Sequence, residues 1–375
     1  MSAPALELDR VSKIYGAKAA RPVRAVDAVS MSVAKGEIVA LLGSSGCGKT
    51  STLRMVAGFE TVSEGAVRIA GREVNRVAPA KRNVAMAFEG YSLYPPLTVR
   101  ENIAFALKSA RLPREEVARR VAEIAHLLEI EPILDRYPAS ISGGQQQRAS
   151  LGRALIREAD LHLLDEPMGQ LEPALRALLR GRIKHFVKER GLTAVLVTHD
   201  QTEANALADR IAVMEGGVLQ QFASPAELKD RPANLFTGTF IGEPPMNVFQ
   251  AQARAEGDAL RLGLGEGVAL DYPAAGFEPA VRETILKRGR VTLGVRPHAV
   301  RLDPAGAPAE VAANQWLGDQ SHIAASFAGG TLVTVEHDRA RLRPGDRIGV
   351  RFEPADLHVF DGETGAALSH GGRAA

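Results

Sequence analysis

The stretch Gly43-Ser44-Ser45-Gly46-Cys47-Gly48-Lys49-Thr50 has the composition of a phosphate cradle. Its glycines let backbone N–H groups turn inward around phosphate oxygens. Lys49 can reach the outer phosphates, Thr50 can place a hydroxyl on Mg²⁺, and Ser51 continues the same polar edge. Further on, the apolar run Leu161-His162-Leu163-Leu164 ends in Asp165 and Glu166. Beside a phosphate loop such a pair suits a division of labour, with Asp165 ordering a metal shell and Glu166 polarising the attacking water. Between the two lies Ser142-Gly143-Gly144-Gln145 at a helix start. There a hydroxyl and backbone N–H groups can either meet a phosphate or cap the helix. Cys47 reads as a small packing residue and His162 as a core or interface histidine, since neither has a partner group at useful spacing.

These groups need a frame. From Val26 to Leu42 two strands, separated by the turn Lys35-Gly36-Glu37, lead into the glycine-rich loop, and a helix from Thr50 to Ala57 leads out of it. That helix would point its positive end at the anion. Val117, Val121, Ile124 and Leu128 recur at steps of four, three and four, which predicts an amphipathic helix between Pro113 and Glu131. With it, residues 90–160 read as mostly helical. Strand-like runs return at Leu161–Leu164 and Ala194–Val197, and the alternation predicts a mainly parallel sheet flanked by helices. After Gly242 short strands at Val291–Val295, Ile323–Phe327, Leu332–Val335 and Ile348–Phe352 predict a small β-barrel or sandwich. The boundary falls at 238–245, and Ser369–Ala375 reads as disordered.

The 375 residues include 46 basic and 44 acidic side chains, a formal charge of +2, and one cysteine. A lone cysteine excludes an intrachain disulfide and fits a reducing compartment. Interleaved charges give no basic stripe for nucleic acid, and no apolar run approaches the length of a membrane span. Glu7, Asp9 and Arg10 interrupt the N-terminal segment where an export signal needs an apolar core.

Taken in order, the phosphate loop, Ser142–Gln145, the Asp165-Glu166 strand end and His199 in Val197-Thr198-His199-Asp200 resemble the ATP-binding cassette family, and most closely its carbohydrate-importer ATPases of the maltose and glycerol-phosphate type. Tyr91-Ser92-Leu93-Tyr94-Pro95, Leu97–Asn102, Asp230–Asn234 and Phe240-Ile241-Gly242 extend the likeness. Gly294-Val295-Arg296-Pro297 and Leu357–Asp361 carry it into that group's C-terminal domain.

The resemblance implies an α/β P-loop NTPase of the ABC type over residues 1–240, with an inserted helical subdomain at about 90–160. It also implies an all-β, OB-like regulatory domain over 241–375. ATP and Mg²⁺ are the implied cofactors, with Thr50, Asp165 and Glu89 toward the metal, and Glu166, His199 and Glu89 as catalytic groups. Two ATPase domains would close head to tail, so that Gly43–Ser51 of one faces Ser142, Gly143, Gly144 and Gln145 of the other. His199 would contact the γ-phosphate. Tyr15 would stack on adenine or serve as an ordinary strand aromatic, since Ala17–Pro22 reads as a short insertion beside it. Tyr91 to Pro96 would meet two integral membrane permeases, or Tyr91 and Tyr94 would be subdomain core.

The implied task is uptake of glycerol, glycerol-3-phosphate or a maltose-like sugar, from the cytoplasmic face of the inner membrane, with a periplasmic solute-binding protein as an indirect partner. The alternatives are import of a polyamine or oxyanion, and a non-transport cassette with a mainly regulatory role. Two positions depart from the pattern: Glu89 stands where relatives carry glutamine, and Glu172 where they carry aspartate. The partner ATPase is either a second copy of this chain or a related subunit that compensates for these changes.

Overall fold

All six residues of Ile38–Gly43 are buried, as expected of a strand covered on both faces. This strand lies inside the first of two compact units, Met1–Pro225 and Ala226–Ala375, of which the computed structural model describes residues 3–16 and 21–375. Of the insertion read at Ala17–Pro22, residues 17–20 lie outside the described residues.

The first unit holds, in order, β1 (Leu6–Tyr15), β2 (Val23–Val33), β3 (Ile38–Gly43), α1 (Lys49–Ala57), β4 (Glu64–Ile69), β5 (Arg72–Glu73) and β6 (Val84–Ala87). Three helices follow, α2 (Val99–Phe105), α3 (Arg114–Leu127) and α4 (Gly143–Leu155). The unit closes with β7 (Leu161–Asp165), α5 (Pro173–Glu189), β8 (Ala194–Thr198), α6 (Gln201–Leu207), β9 (Arg210–Glu215) and β10 (Val218–Ala223). Six strands form one sheet in the order β10-β9-β3-β8-β7-β6, parallel except for the β9–β10 hairpin. A second, antiparallel sheet has the order β2-β1-β4-β5. The sequence reading left this sheet out. Of the two strands that lead into the glycine-rich loop, β2 belongs here, paired with β1, and its alternating burial marks a strand with one face covered.

The helical region between β6 and β7 is locally self-consistent. Thr98 and Glu101 form a reciprocal capping box at α2. Val121 and Ile124 of α3, and Leu128 just past its end, are buried as their spacing predicts. At Gly152 of α4 a Cβ would lie 2.8 Å from the Ile124 methyl, so the two helices approach too closely for any side chain there.

The second unit contains α7 (Pro225–Asp230), whose first residue belongs to the first unit, then α8 (Leu235–Phe240), β11 (Asn247–Glu256), β12 (Ala259–Gly265), β13 (Val268–Pro273), α9 (Pro279–Arg288) and β14 (Arg290–Val295). It continues with β15 (Arg301–Trp316), β16 (Ser321–Phe327), β17 (Gly330–Glu336), β18 (Arg347–Arg351), β19 (Leu357–Asp361), β20 (Ala367–His370) and β21 (Arg373–Ala374). Its sheets run β13-β12-β11-β14-β19-β20-β21 and β17-β16-β15-β18. Phe249, Phe327 and Phe352 pack together in its core, and the Asn247 side chain bonds both to Val295 of one sheet and to Val333 of the other. The unit begins earlier in the chain than the sequence boundary because buried Arg296 donates to the carbonyls of Lys229, Gly238 and Ile241, which ties α7 and α8 to β14. Helix α9 packs beside these sheets. One expectation is corrected here: residues 369–374 are ordered in β20 and β21, held by the pairs Ser369↔Ala374 and His370↔Arg373.

Candidate functional site

Four chain segments leave the carboxyl ends of adjacent parallel strands: the phosphate loop after β3, His199 after β8, Glu166 after β7, and Phe88-Glu89 after β6. The register sets Leu42 beside Thr198, Val197 beside Asp165, and Leu164 beside Ala87, so the four segments start level with one another. Such strand ends form the binding crevice of open α/β sheets.

The loop from Gly43 to Gly48 turns into α1 through Gly48 at φ +99°, where a Cβ would stand 2.4 Å from the Ala25 carbonyl. Only glycine fits there. Lys49 is buried and donates to the Gly43 and Ser44 carbonyls, each at 2.9 Å. The Ser44 hydroxyl donates to Glu215, and Tyr15 Oη lies 3.1 Å from Ser51 Oγ, which brings the β1 aromatic to the first turn of α1. Lys13 sits over the same ring, 4.8 Å from its centroid. Cys47 is buried, and burial pushes its thiol up, so its side chain packs inward while its backbone belongs to the cradle.

Asp165 is buried at the end of β7 with one carboxyl oxygen unpartnered. Burial, then the charge of Glu89, push its carboxyl up to about 6, against the opposing pull of Arg54, with the Thr50 hydroxyl as a hydrogen-bond partner. Glu166 adopts φ +48°, a left-handed backbone that residues with side chains rarely hold. In that pose its carboxylate lies 3.0 Å from His199 Nδ1. His199 itself is largely exposed, so its far edge faces outward.

Ser142 and Gln145 form a reciprocal capping box at α4. The capping role therefore holds, and it occupies the Ser142 hydroxyl and the Gln145 side chain; a Cβ at Gly143 would stand 3.2 Å from Tyr91 Oη, and one at Gly144 3.0 Å from the Gln170 carbonyl. Tyr94 rests against Phe105 with Arg153 over its ring, and buried Asn102 bonds the backbone of Tyr94, Leu97 and Thr98. His162 is fully buried, bonded to the Arg157 carbonyl, as read from its strand.

Two residues escaped the sequence reading. Buried Gln147 of α4 donates to the Glu166 carbonyl and accepts from the Gln170 N–H, bracketing the loop that follows β7. A polar side chain on the apolar face of a helix was the available signal. Buried Glu203 of α6 accepts from Thr198, and burial pushes its carboxyl up to about 7. Arg176 of α5 pairs with Asp200, which caps α6.

Residues 26–169 match the ABC transporter family, and residues 293–360 match the TOBE domain. The sn-glycerol-3-phosphate import ATP-binding protein of Cereibacter sphaeroides is 44% identical over 350 residues, which cover 92% of this chain and 96% of that protein. This chain belongs to the ABC transporter family. The xylose/arabinose import ATP-binding protein of Haloferax volcanii is 40% identical over 375 residues, 97% of this chain and 95% of that one. Among solved structures, the dimeric, post-hydrolysis state of the ATP-binding cassette MJ0796 bound to ADP and Pi superimposes with a TM-score of 0.54 at 27% identity. It covers 58% of this chain and 98% of its own. As an ABC protein the chain is an ATPase with a cassette fold and a C-terminal TOBE domain. No helix among the described residues is long and apolar enough to cross a membrane.

Proposed function

We propose that this cassette drives uptake of a carbohydrate or polyol, of the glycerol-3-phosphate or pentose kind named for its relatives, through two partner permeases on which it sits peripherally at the inner membrane's cytoplasmic face. The observation that carries the hydrolytic part is the Glu166–His199 contact of 3.0 Å at the same sheet end as the phosphate loop.

The backbone of Gly43–Gly48 cradles the phosphates and Lys49 turns from its loop carbonyls to the outer ones. Glu166 accepts the proton of the attacking water, and His199 holds that carboxylate in place while facing the γ-phosphate. Asp165, Thr50 and Glu89 are the oxygen donors that would hold Mg²⁺, and the unpartnered, buried Asp165 oxygen suits such a ligand. No cage of three ionisable ligands exists among the described residues, in keeping with an ion that also needs the substrate phosphates. Bound there, Mg²⁺ would offset the charge of the phosphates.

Gly143 and Gly144 adjoin Tyr91 and Gln170, and we assign the N-terminus of α4 to the nucleotide of a second ATPase subunit, identical or related. Backbone N–H groups there make the contact, because the Ser142 and Gln145 side chains already serve the cap. The test is reconstitution with the native permeases in vesicles. ATP-dependent uptake of glycerol-3-phosphate or a pentose is expected, abolished by Glu166→Gln; uptake of a polyamine or oxyanion instead would overturn the solute assignment.

A further inference from the structure

The second unit has a half-open cavity of about 510 Å³ between α7, the segment after β14, and the β19–β21 edge. That size lies within the range of small-molecule sites. Lys229, Arg231, Arg296 and Arg373 line it against two carboxylates, Asp230 and Asp356. Three histidines complete the wall, His298, His358 and His370. His358 and His370 meet through their Nδ1 atoms at 2.8 Å. Burial, with neighbouring cations, drives His358 down to about 3 and His370 to about 4, and lowers His298, so near neutrality these rings add hydrogen-bonding capacity without charge. The cavity therefore keeps an excess of positive charge.

Arg296 is the informative member. The residue is buried, only 5% exposed, its hydrogen bonds go to neutral carbonyls, and its Nε has no hydrogen-bond partner. Burial pulls it down to about 10, with only the charge of Asp230 opposing. A buried cation without a carboxylate partner is costly, and an anion in the cavity would offset that cost. Lys229 and Arg373 form no salt bridge among the described residues, so their charges are available to the cavity.

We propose that this cavity binds a small hydroxylated phosphate ester. The phosphate would lie among Arg296, Lys229 and Arg373, where guanidinium and ammonium groups match its oxygens. Asp230 and Asp356 would repel a bare anion but accept hydrogen bonds from hydroxyl groups, which is why the ester fits better than inorganic phosphate. The assignment is independent of which solute is imported.

Calorimetric titration of the full chain tests it, using Lys49→Ala to remove the affinity of the phosphate loop. Glucose 6-phosphate and glycerol phosphate serve as long and short esters, with inorganic phosphate and glucose as the two halves. Saturable binding of at least one ester is expected, tighter than inorganic phosphate, with none for glucose. The double variant Lys229→Glu, Arg373→Glu, changed at exposed positions, should weaken it by about tenfold or more while leaving the melting temperature in place. Asp230→Asn with Asp356→Asn removes the repulsion felt by a bare anion and should narrow the preference for the ester over inorganic phosphate. No saturable ester binding at millimolar concentration, or binding indifferent to the charge reversal, overturns the site. Inorganic phosphate binding as tightly as the esters overturns the hydroxyl half.

Discussion

Glu89 and Asp165 stand at the ends of neighbouring strands, and the charge of Glu89 is, after burial, the main influence holding the Asp165 carboxyl up at about 6. The same charge opposes phosphates that come near without a metal. At 4 Å and an effective dielectric of 20, each unit charge contributes about 4 kcal/mol of repulsion before a cation offsets it. Glu89→Gln should therefore tighten ATP binding in EDTA by about tenfold or more and shrink the gain from added Mg²⁺. Titration with a fluorescent ATP analogue, with and without metal, measures both; unchanged affinity in EDTA would show that Glu89 does not face the phosphates.

Glu166→Gln removes the proton acceptor but keeps the size of the side chain. Turnover should fall by about 10²–10⁴-fold, with ATP binding retained. With ATP present, gel filtration should show the variant as a stable closed dimer. Retained hydrolysis would falsify Glu166 as the base.

Gln147 supplies two hydrogen bonds, at 2.7 and 2.9 Å, to the loop carrying Glu166 and Gln170. Gln147→Ala leaves the Glu166 carbonyl and the Gln170 N–H without these partners, at a cost of about 1–3 kcal/mol. Denaturant melts should show that loss, and kcat should fall while the KM for ATP stays nearly constant, because the phosphate loop is untouched. A selective rise in KM would contradict this.

Glu203 makes stability depend on pH with a definite sign. Below about 4.5 the carboxyl is protonated in both states. Between there and about 7 the unfolded chain loses the proton while the folded one keeps it, so stability falls as pH rises, by up to about 3 kcal/mol. Glu203→Gln can still accept from Thr198 and escapes the penalty. Its melting-temperature advantage over the parent should grow from pH 5 to pH 7.5 and then level off.

Cys47 lies inside the phosphate loop, where bound nucleotide would cover its thiol. Its burial and raised pKa make the thiol slow toward maleimide even without nucleotide. Mass spectrometry should find little labelling in either state and full labelling in denaturant; rapid labelling of the native chain would mean that the loop opens.

The parts of the site legible from sequence were those whose chemistry is local. Lys49, Thr50 and Asp165 declare themselves because a glycine-rich turn and a carboxylate-tipped strand are each contiguous. Their convergence is not contiguous, since it depends on the strand order β3-β8-β7-β6, which no spacing encodes. Gln147 and Glu203 were missed for the same reason, each meaning something only through a partner in another segment. In the second unit the alternating strands were legible, whereas the roles of Asn247 and Arg296 depend on which strands and helices their single side chains reach.

The left-handed backbone at Glu166 has a consequence for how such a chain can change over time. A non-glycine residue at φ +48° carries roughly 1 kcal/mol of strain, which glycine or asparagine would relax. Mutational drift scored only by folding would therefore favour losing this carboxylate, so its persistence in a lineage records selection for turnover, and a gene released from that selection should lose Glu166 while its fold survives.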